Sequence, residues 1–440
     1  MARSSGVCVN GTVHDDNESA ILPSQLCIGM YVHLDIPWMD HPFTFSSFKI
    51  KSLEQIELIQ SLGLKRLRYA PAKSDSEPLP HSDTAAAAAT APEAPPPPAP
   101  HDSPAFQAKR ARLERLALHR ERVVACERQL LSNAHTLRSM QQNLFARPEQ
   151  TYKDASLLVE SMADSMLMDA DIAIHLMADK LGNDEVYHHS LNVTLLSMML
   201  AKEMKAPAHG IRILGMGALF HDIGKVEIPD RILRKTEPLT KPELGLLHTH
   251  CAAGVEIGKK LNLTSEALQV IAQHHEHVDG TGYPRKLQGA QMSLLARIVA
   301  VTNVYDNLCN PTNPAKAMTP HEALSTMYGQ QRSHFDSVAM NTFIRCMGIY
   351  PPGTVVMLSN GTLAMVVSIN STRPLKPTVM VYDPAVPREE AILADLEQEP
   401  DVSISKTMRP QHLSPSALEY LDPRRRMTYY FDTSPGKPGA

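Results

Sequence analysis

Residues 217–225 read Gly-Ala-Leu-Phe-His-Asp-Ile-Gly-Lys, an apolar run that ends with His221 and Asp222 side by side before Gly224. Such a run predicts a helix that stops near the glycine. An imidazole beside a carboxylate can chelate one ion, and the second carboxylate oxygen can reach another. A His-Asp pair alone is weak evidence for a metal site, so its companions along the chain decide its interpretation.

Histidines and carboxylates follow on both sides of this pair. Glu185 and His189 are four residues apart, a spacing that puts both side chains on one helix face. Neutral imidazole is the commonest protein ligand of transition metals. The candidate ligands are all imidazoles or carboxylates: Glu185, His189, His221, Asp222, His250, His274, His275 and Asp306. Without a thiolate, this set suits Fe or Mn, and also Ni, Co or Mg, better than a structural zinc, and it exceeds the needs of one ion. The sequence predicts two or three divalent ions.

Composition excludes several classes of protein. The formal charge of -4 over 440 residues gives no field that would attract a nucleic acid polymer or an anionic membrane. The six cysteines form no CxxC pair, which fits a reducing compartment. No apolar run is long enough for a membrane span, and the N-terminus does not resemble a signal peptide. We therefore expect a cytoplasmic protein.

Patterning along the chain predicts a mainly α protein with two smaller β-containing parts. A helical catalytic domain follows a small α+β domain and an Ala/Pro-rich linker, and it precedes short strands. The predicted segments are a disordered N-terminus (1–20), the α+β domain (21–72), the linker (73–106), a long amphipathic helix (107–148), the all-helical domain (149–348), a β-rich segment (349–385) and an irregular tail (386–440).

The long helix has two interpretations. Apolar residues recur every seven positions from Leu116 to Leu144, but polar residues such as Arg120 and Gln141 occupy positions where a coiled coil needs a second apolar residue. One interpretation is an amphipathic helix packed on its own catalytic domain, and the other is a helix that forms a homodimer. The sequence leaves both open.

Order and spacing of these motifs resemble the HD-GYP subgroup of the HD phosphohydrolase superfamily over about 160 residues. The segment from Gly29 to Arg68 also resembles the uncharacterised domain often found before HD-GYP domains, with Pro37-Trp38, Pro42-Phe43 and Phe45 at signature-like positions. The matching catalytic segments are Glu185-Val-Tyr-His-His189-Ser, His221-Asp222-Ile-Gly-Lys225, Thr249-His250, His274-His275-Glu-His-Val-Asp279-Gly280-Thr-Gly282-Tyr283-Pro284, and Asp306.

The resemblance implies a phosphodiesterase that hydrolyses cyclic di-GMP to pGpG and, in some members, on to GMP. Carried over by position, His221, Asp222, His250, His274, His275 and Asp306 would hold two core metals, with Asp222 bridging them as a catalytic residue. Glu185 and His189 match positions that in some members recruit a third ion.

The resemblance also implies contacts to substrate and partners. Lys225 would neutralise a phosphate oxygen, although a solvated lysine at a helix end is the alternative. Tyr283 and Lys316 are further candidates for substrate binding. The GYP loop, formed by Asp279, Gly280, Gly282, Tyr283 and Pro284, lies by the active site in the family and is linked there to contacts with GGDEF cyclase domains. His188, His248 and His277 are read as surface residues or as residues behind the ligands.

One departure from the family pattern affects substrate binding. Many relatives carry an Arg-Pro-Tyr-Arg type of segment after the final aspartate, whereas this chain reads Asn310-Pro-Thr-Asn-Pro-Ala-Lys316. We expect metals to tolerate this change better than substrate affinity does. The alternatives to an active phosphodiesterase are an HD phosphohydrolase for other nucleotides, and a catalytically weak, metal-bearing cyclic di-GMP sensor or adaptor that binds a cyclase.

Overall fold

The computed structural model describes residues 19–37, 40–43, 45–80, 104–168, 174–176, 185–369, 375–384, 386–399, 401–423 and 429–431. The described residues form two compact units. The first contains those up to Arg115 together with Asp383–Ile392, and the second contains those in Leu116–Tyr382 and from Leu393 onward.

The first unit contains a four-stranded antiparallel sheet and one short helix. Ser52 caps the helix by accepting a hydrogen bond from the amide of Gln55, and Gly63 ends it with a positive φ of 69°. Ile56 and Ile59 on the helix are buried with Met30 and Val32. The sheet order is β1-β4-β2-β3. The elements are β1 Ser19–Ile21, β2 Tyr31–His33, β3 Ser47–Lys49, α1 Leu53–Ser61 and β4 Leu67–Tyr69.

Helices dominate the second unit, which confirms the predicted mainly α fold. The apolar faces of its helices join one buried core, and Leu130, Leu137 and Leu144 lie in that core. These contacts support the interpretation that the long helix packs on its own catalytic domain. The helices are α2 Pro104–Asn143, α3 Pro148–Met168, α4 Glu185–Glu203, α5 Ala208–Leu219, α6 Asp230–Leu233, α7 Lys241–His248, α8 His250–Lys260, α9 Ser265–Gln273, α10 Leu294–Cys309, α11 Pro320–Gly329 and α12 Ser337–Met347.

Two small sheets complete the second unit. β5 Ile174–Leu176 pairs antiparallel with a late strand, Tyr429–Phe431, which we number β11. The other sheet has five strands in the order β10-β6-β7-β8-β9. Its strands are β6 Val355–Leu358, β7 Leu363–Ser368, β8 Thr378–Val381, β9 Ile392–Asp395 and β10 Ile404–Met408.

The prediction that the chain forms an irregular tail from residue 386 onward is wrong. β9 and β10 belong to the five-stranded sheet, and helix α13, Pro415–Leu421, follows them. The strands are short, and β10 does not alternate because its three central residues, Ser405, Lys406 and Thr407, are all polar, so the sequence pattern is weak there. Likewise, residues 75–80 of the predicted linker are described, and the amide of Leu79 donates to the carbonyl of Gln25. The predicted N-terminal segment 1–18 and the rest of the linker, 81–103, lie outside the described residues.

None of the helices in the described ranges combines the length and apolar character that a helix needs to cross a bilayer.

Two glycines allow close backbone packing where the His-Asp motif meets α8. A methyl group on Gly224 would overlap the carbonyl oxygen of His250 and lie 2.5 Å from the amide nitrogen of Gly254. The 3-10 helix Ile223–Glu227 therefore rests directly on the first turns of α8. This contact sets the distance between Asp222 and His250.

We expect Gly224→Ala to lower the free energy of unfolding by about 2 kcal/mol or more, because the new methyl group overpacks a backbone contact. The measurement is urea unfolding followed by circular dichroism. Gly245→Ala is the matched control, since a methyl group at that position in α7 meets no atom within 4 Å; it should be neutral or stabilising by up to about 1 kcal/mol. Equal effects of the two substitutions would contradict the packing argument.

Candidate metal centre

Most of the candidate ligands lie at helix ends that converge in the second unit. His221 and Asp222 follow α5, and His250 is the first residue of α8. His274 and His275 follow the last residue of α9. His189 in α4 and Asp306 in α10 approach from helix interiors. A helix end leaves carbonyl groups without intrahelical partners, so these groups are free to orient neighbouring side chains.

Four of the imidazoles are oriented in the same way. The Nδ1 atoms of His221, His250 and His274 lie 2.6, 2.7 and 2.9 Å from the carbonyl oxygens of the residues three positions earlier. His189 Nδ1 lies 2.6 Å from Asp306 Oδ2. A carbonyl or carboxylate oxygen only accepts, so each Nδ1 carries the hydrogen and donates. In the neutral rings, each Nε2 then presents a lone pair, which is the arrangement of a metal-binding histidine.

These lone pairs point at one another in two pairs. His189 Nε2 is 3.2 Å from His221 Nε2, and His250 Nε2 is 3.2 Å from His274 Nε2. Two acceptors at this distance repel unless a cation or a proton lies between them. Two ligands about 2.1 Å from one ion and at right angles to each other would be about 3 Å apart. The spacing therefore suits a shared ion.

Asp222 lies between the two pairs and offers one oxygen to each. Its Oδ2 is 3.6 Å from His189 Nε2 and 3.4 Å from His221 Nε2. Its Oδ1 is 3.4 Å from His250 Nε2 and 3.6 Å from His274 Nε2. Oδ1 is buried and has no hydrogen-bond partner among the described residues. A buried carboxylate oxygen without a donor is unfavourable unless a cation neutralises it.

The electrostatics favour the forms that bind metal. Burial lowers the pKa of His274 to about 4 and also lowers the pKa values of His250 and His275, so these rings are neutral near pH 7. Burial alone would raise the pKa of Asp222, but Lys225, His221 and His274 hold it well below its usual value. The centre thus holds three neutral imidazoles, those of His250, His274 and His275, near an ionised carboxylate.

The donor atoms fall into two groups that share Asp222, and both fit divalent ions. In each group the atoms lie within 4.8 Å of one another. The groups are Asp222 with His250, His274 and His275, and Asp222 with His189 and His221. His189 thus groups with His221 and Asp222, although the resemblance had paired it with Glu185 at positions that recruit a third ion in some members. The reason is tertiary: α4 packs against α5 and α10, which brings His189 to His221. The side chain of Glu185 lies outside the described residues.

Asp306 contacts the centre through His189 and is held by two amides that sequence reasoning missed. Its Oδ1 accepts hydrogen bonds from the side chains of Asn192, at 2.7 Å, and Asn310, at 2.9 Å. Because its Oδ2 also accepts the hydrogen of His189 Nδ1, Asp306 orients that imidazole. Asn310 begins the segment that departs from the family pattern, and its four-residue spacing from Asp306 was a signal that the sequence did contain.

Lys225 and Lys316 lie in different surroundings. Lys225 Nζ is 2.5 Å from Asp222 Oδ2, and its side chain is 31% exposed, so its cation stands at the solvent side of the centre. Lys316 ends the exposed 3-10 helix Pro314–Lys316, and no contact among the described residues joins it to the candidate ligands.

The GYP loop is held near the metal centre by Glu276, to which the sequence assigned no role, and by close packing within the loop. The buried carboxylate of Glu276 accepts hydrogen bonds from the backbone amides of Arg285, at 2.6 Å, and Leu287, at 2.9 Å. A methyl group on Gly282 would overlap the amide nitrogen of His277, so only glycine allows this approach. Asp279 accepts from the amide and hydroxyl of Thr281, which tightens the turn.

Family models match three parts of the chain. An HD domain model matches residues 171–338, the domain of unknown function DUF3391 matches residues 19–155, and a KOW domain associated with HD domains matches residues 355–416. The HD match spans all eight candidate ligands. The KOW match extends over β6 to β10, in agreement with the single five-stranded sheet.

Curated relatives are similar to this chain in sequence over different lengths. A cyclic di-GMP phosphodiesterase of Pseudomonas aeruginosa is 32% identical over 362 residues, which cover 82% of this chain and 84% of that protein. The cyclic di-GMP phosphodiesterase response regulator RpfG of Xanthomonas campestris is 34% identical over 149 residues, or 33% of this chain and 39% of the relative. A 3'3'-cGAMP-specific phosphodiesterase of Vibrio cholerae is 36% identical over 118 residues, or 26% of this chain and 23% of the relative.

The helical fold and its paired histidine groups define an enzyme of the HD phosphohydrolase superfamily. Within that superfamily, the chain belongs to the HD-GYP family of phosphodiesterases, as the resemblance implied.

The pKa shifts predict how the stability of the metal-free protein depends on pH. His274 has a pKa of about 4 when folded and about 6.5 when unfolded, so between these values the unfolded chain binds more protons. The stabilisation is complete above pH 6.5 and is lost as the pH falls toward 4. Urea unfolding of chelator-treated protein at stepwise pH measures this. A free energy of unfolding that stays constant from pH 7 to pH 5 would contradict the assignment.

The Glu276 clamp predicts a second effect on stability. Glu276→Gln leaves one carbonyl oxygen for two backbone donors and turns an NH₂ group toward one of them, so the free energy of unfolding should fall by about 1–3 kcal/mol. Denaturant unfolding of the metal-free protein measures the loss. The exposed Glu266 on α9 provides the control Glu266→Gln, expected within about 0.5 kcal/mol of the wild type. If both variants match the wild type, Glu276 does not hold the loop.

Proposed function

We propose that this protein is a metal-dependent phosphodiesterase that hydrolyses cyclic di-GMP to pGpG, with further hydrolysis to GMP if a third ion is bound. The observation that carries the proposal is Asp222, whose two oxygens each face a pair of inward-pointing Nε2 atoms. Named relatives that act on cyclic di-GMP include one that aligns with most of this chain.

Two divalent ions would be held by His189, His221 and Asp222 on one side, and by Asp222, His250, His274 and His275 on the other. Such ions polarise a phosphoryl oxygen and lower the pKa of a water molecule toward neutrality. Fe or Mn is the proposed metal because mixed imidazole and carboxylate ligands suit both. Glu185, at the start of α4, is the proposed additional ligand of a third ion.

The remaining groups of the site bind and orient the substrate. Lys225 stands beside Asp222 on the solvent side and would neutralise one non-bridging oxygen of the scissile phosphate as charge develops. Lys316, as the basic residue of the departing segment, is proposed to approach the second phosphate.

Further partners remain proposals. The GYP loop is exposed at Thr281 and Pro284 and is the proposed contact for GGDEF cyclase domains. A homodimer through the exposed side of α2 would be compatible with the burial of Leu130 and Leu137 within the chain's own core.

The direct test is turnover with defined metals. The protein is purified anaerobically, its bound metals are quantified, and it is incubated with cyclic di-GMP while pGpG and GMP are followed by chromatography. We expect two or three ions per chain and metal-dependent appearance of pGpG. A parallel incubation with 3'3'-cGAMP tests the substrate named for other relatives. Bound metal with both dinucleotides intact after Fe, Mn and Ni reconstitution would contradict the proposal and favour a sensor or adaptor.

Asp222→Ala should reduce turnover of cyclic di-GMP by about 10³-fold or more, because it removes the carboxylate that both donor groups share. Initial rates of pGpG formation at saturating Mn²⁺ measure the effect. Asp164→Ala is the matched control, since that carboxylate is 62% exposed on α3 and pairs only with the exposed Arg212 in the described contacts; its rate should equal that of the wild type. An Asp222→Ala variant with more than a tenth of the wild-type rate would overturn the central role of this residue.

A further inference from the structure

His275 is oriented differently from the other four candidate histidine ligands. Each of the others donates its Nδ1 hydrogen to a carbonyl or carboxylate oxygen. In the described part of the chain, no such oxygen is bonded to the ring of His275. A ligand whose ring can rotate binds a metal less tightly, because the ring must be ordered when the ion binds.

Aromatic rings take the place of the missing hydrogen bond. The ring of Tyr283 stacks on His275, with centroids 4.5 Å apart and planes 22° from parallel. The opposite face of Tyr283 is covered by His248, with centroids 3.6 Å apart and planes 11° from parallel. The three rings therefore form one stack, His248–Tyr283–His275.

His248 and Tyr283 are both fixed by backbone structure. His248 is the last residue of α7, two positions before His250, so its Cα is tied to the start of α8. The amide of Tyr283 donates to the carbonyl of His275 at 3.1 Å, and the close approach of Gly282 holds the loop on the backbone of residues 275–277. The stack thus links the end of α7 to the ligand pair after α9.

The arrangement changes the role expected for Tyr283. Because His248 and His275 cover its two faces, the ring has no free face on which a guanine base could stack. Its side chain is instead placed to hold the plane of His275. Stacked ring pairs of this kind contribute a modest stabilisation beyond that of the area they bury. This suffices to favour one ring orientation.

We propose that His248 and Tyr283 are positioning residues that orient His275 for metal binding through ring stacking. This inference rests on the metal centre of the proposed function, but it concerns the affinity of that centre for ions and not the identity of the substrate. It predicts that an aromatic ring at position 248 matters, whereas its imidazole nitrogens do not.

The test measures metal binding to the full-length, chelator-treated protein. Mn²⁺ is titrated calorimetrically into the wild type, His248→Ala and His248→Phe, and the visible absorption of the Co²⁺ forms reports the ligand geometry. We expect His248→Ala to weaken one of the two Mn²⁺ sites by about 10-fold and to alter the Co²⁺ spectrum. His248→Phe should bind within about 3-fold of the wild type because the stack is kept.

Controls separate this inference from folding and from the proposed function. His135→Ala, at an exposed position of α2, should bind Mn²⁺ like the wild type. If His248→Ala does not fold by circular dichroism, the pair Tyr283→Leu and Tyr283→Phe decides, with weak binding expected for the leucine variant alone. Unchanged affinity in the folded Ala variant, or equal losses in the Ala and Phe variants, would overturn the proposal. A wild-type protein that binds neither Mn²⁺ nor Co²⁺ would instead contradict the proposed metal centre itself.

Discussion

The convergence of imidazole lone pairs on Asp222 is the constraint on which the rest of the site depends. Each Nδ1 hydrogen is used by an oxygen behind the ring, so the Nε2 atoms that meet at 3.2 Å cannot all donate to one another. Such an arrangement is unfavourable without cations and favourable with them. The same geometry explains why the buried Oδ1 of Asp222 has no donor and why Lys225 lies beside Oδ2. The metal-free protein is therefore less stable because its centre is already ordered for binding.

The fold supplies this order mainly through helix ends. His221, His250 and His274 each use a carbonyl that helix termination has left free, so the same feature that ends a helix also orients a ligand. Glycine at 224 and 282 brings backbone segments closer than any other residue would allow. Glu276 then fixes the loop that carries Tyr283. Ligand geometry is thus built from backbone contacts, which are stiffer than long side chains.

Sequence reasoning identified the site well where the chemistry is local. The pairs His221-Asp222 and His274-His275 are adjacent in the chain, and the helical fold followed from periodicity. The proximity of His189 to His221 was not predicted, because it depends on how α4 packs, which no local pattern records. Glu276 was missed for the same reason, because its partners, the backbone amides of residues 285 and 287, lie across a loop. His248 was expected at the surface or behind the ligands, but its stacking on Tyr283 was not predicted. Strand β9 was missed because it has only four residues, and β10 because its three central residues are polar and give no alternation.

The central claim is that two ions share Asp222 as a bridging ligand. X-ray diffraction from crystals of the Mn²⁺-loaded protein, recorded at the manganese absorption edge, tests it most directly, because anomalous peaks locate the ions independently of the protein coordinates. We expect two strong peaks on opposite sides of the Asp222 carboxylate, one beside His189 and His221 and the other beside His250, His274 and His275. A single peak, or peaks away from Asp222, would contradict it.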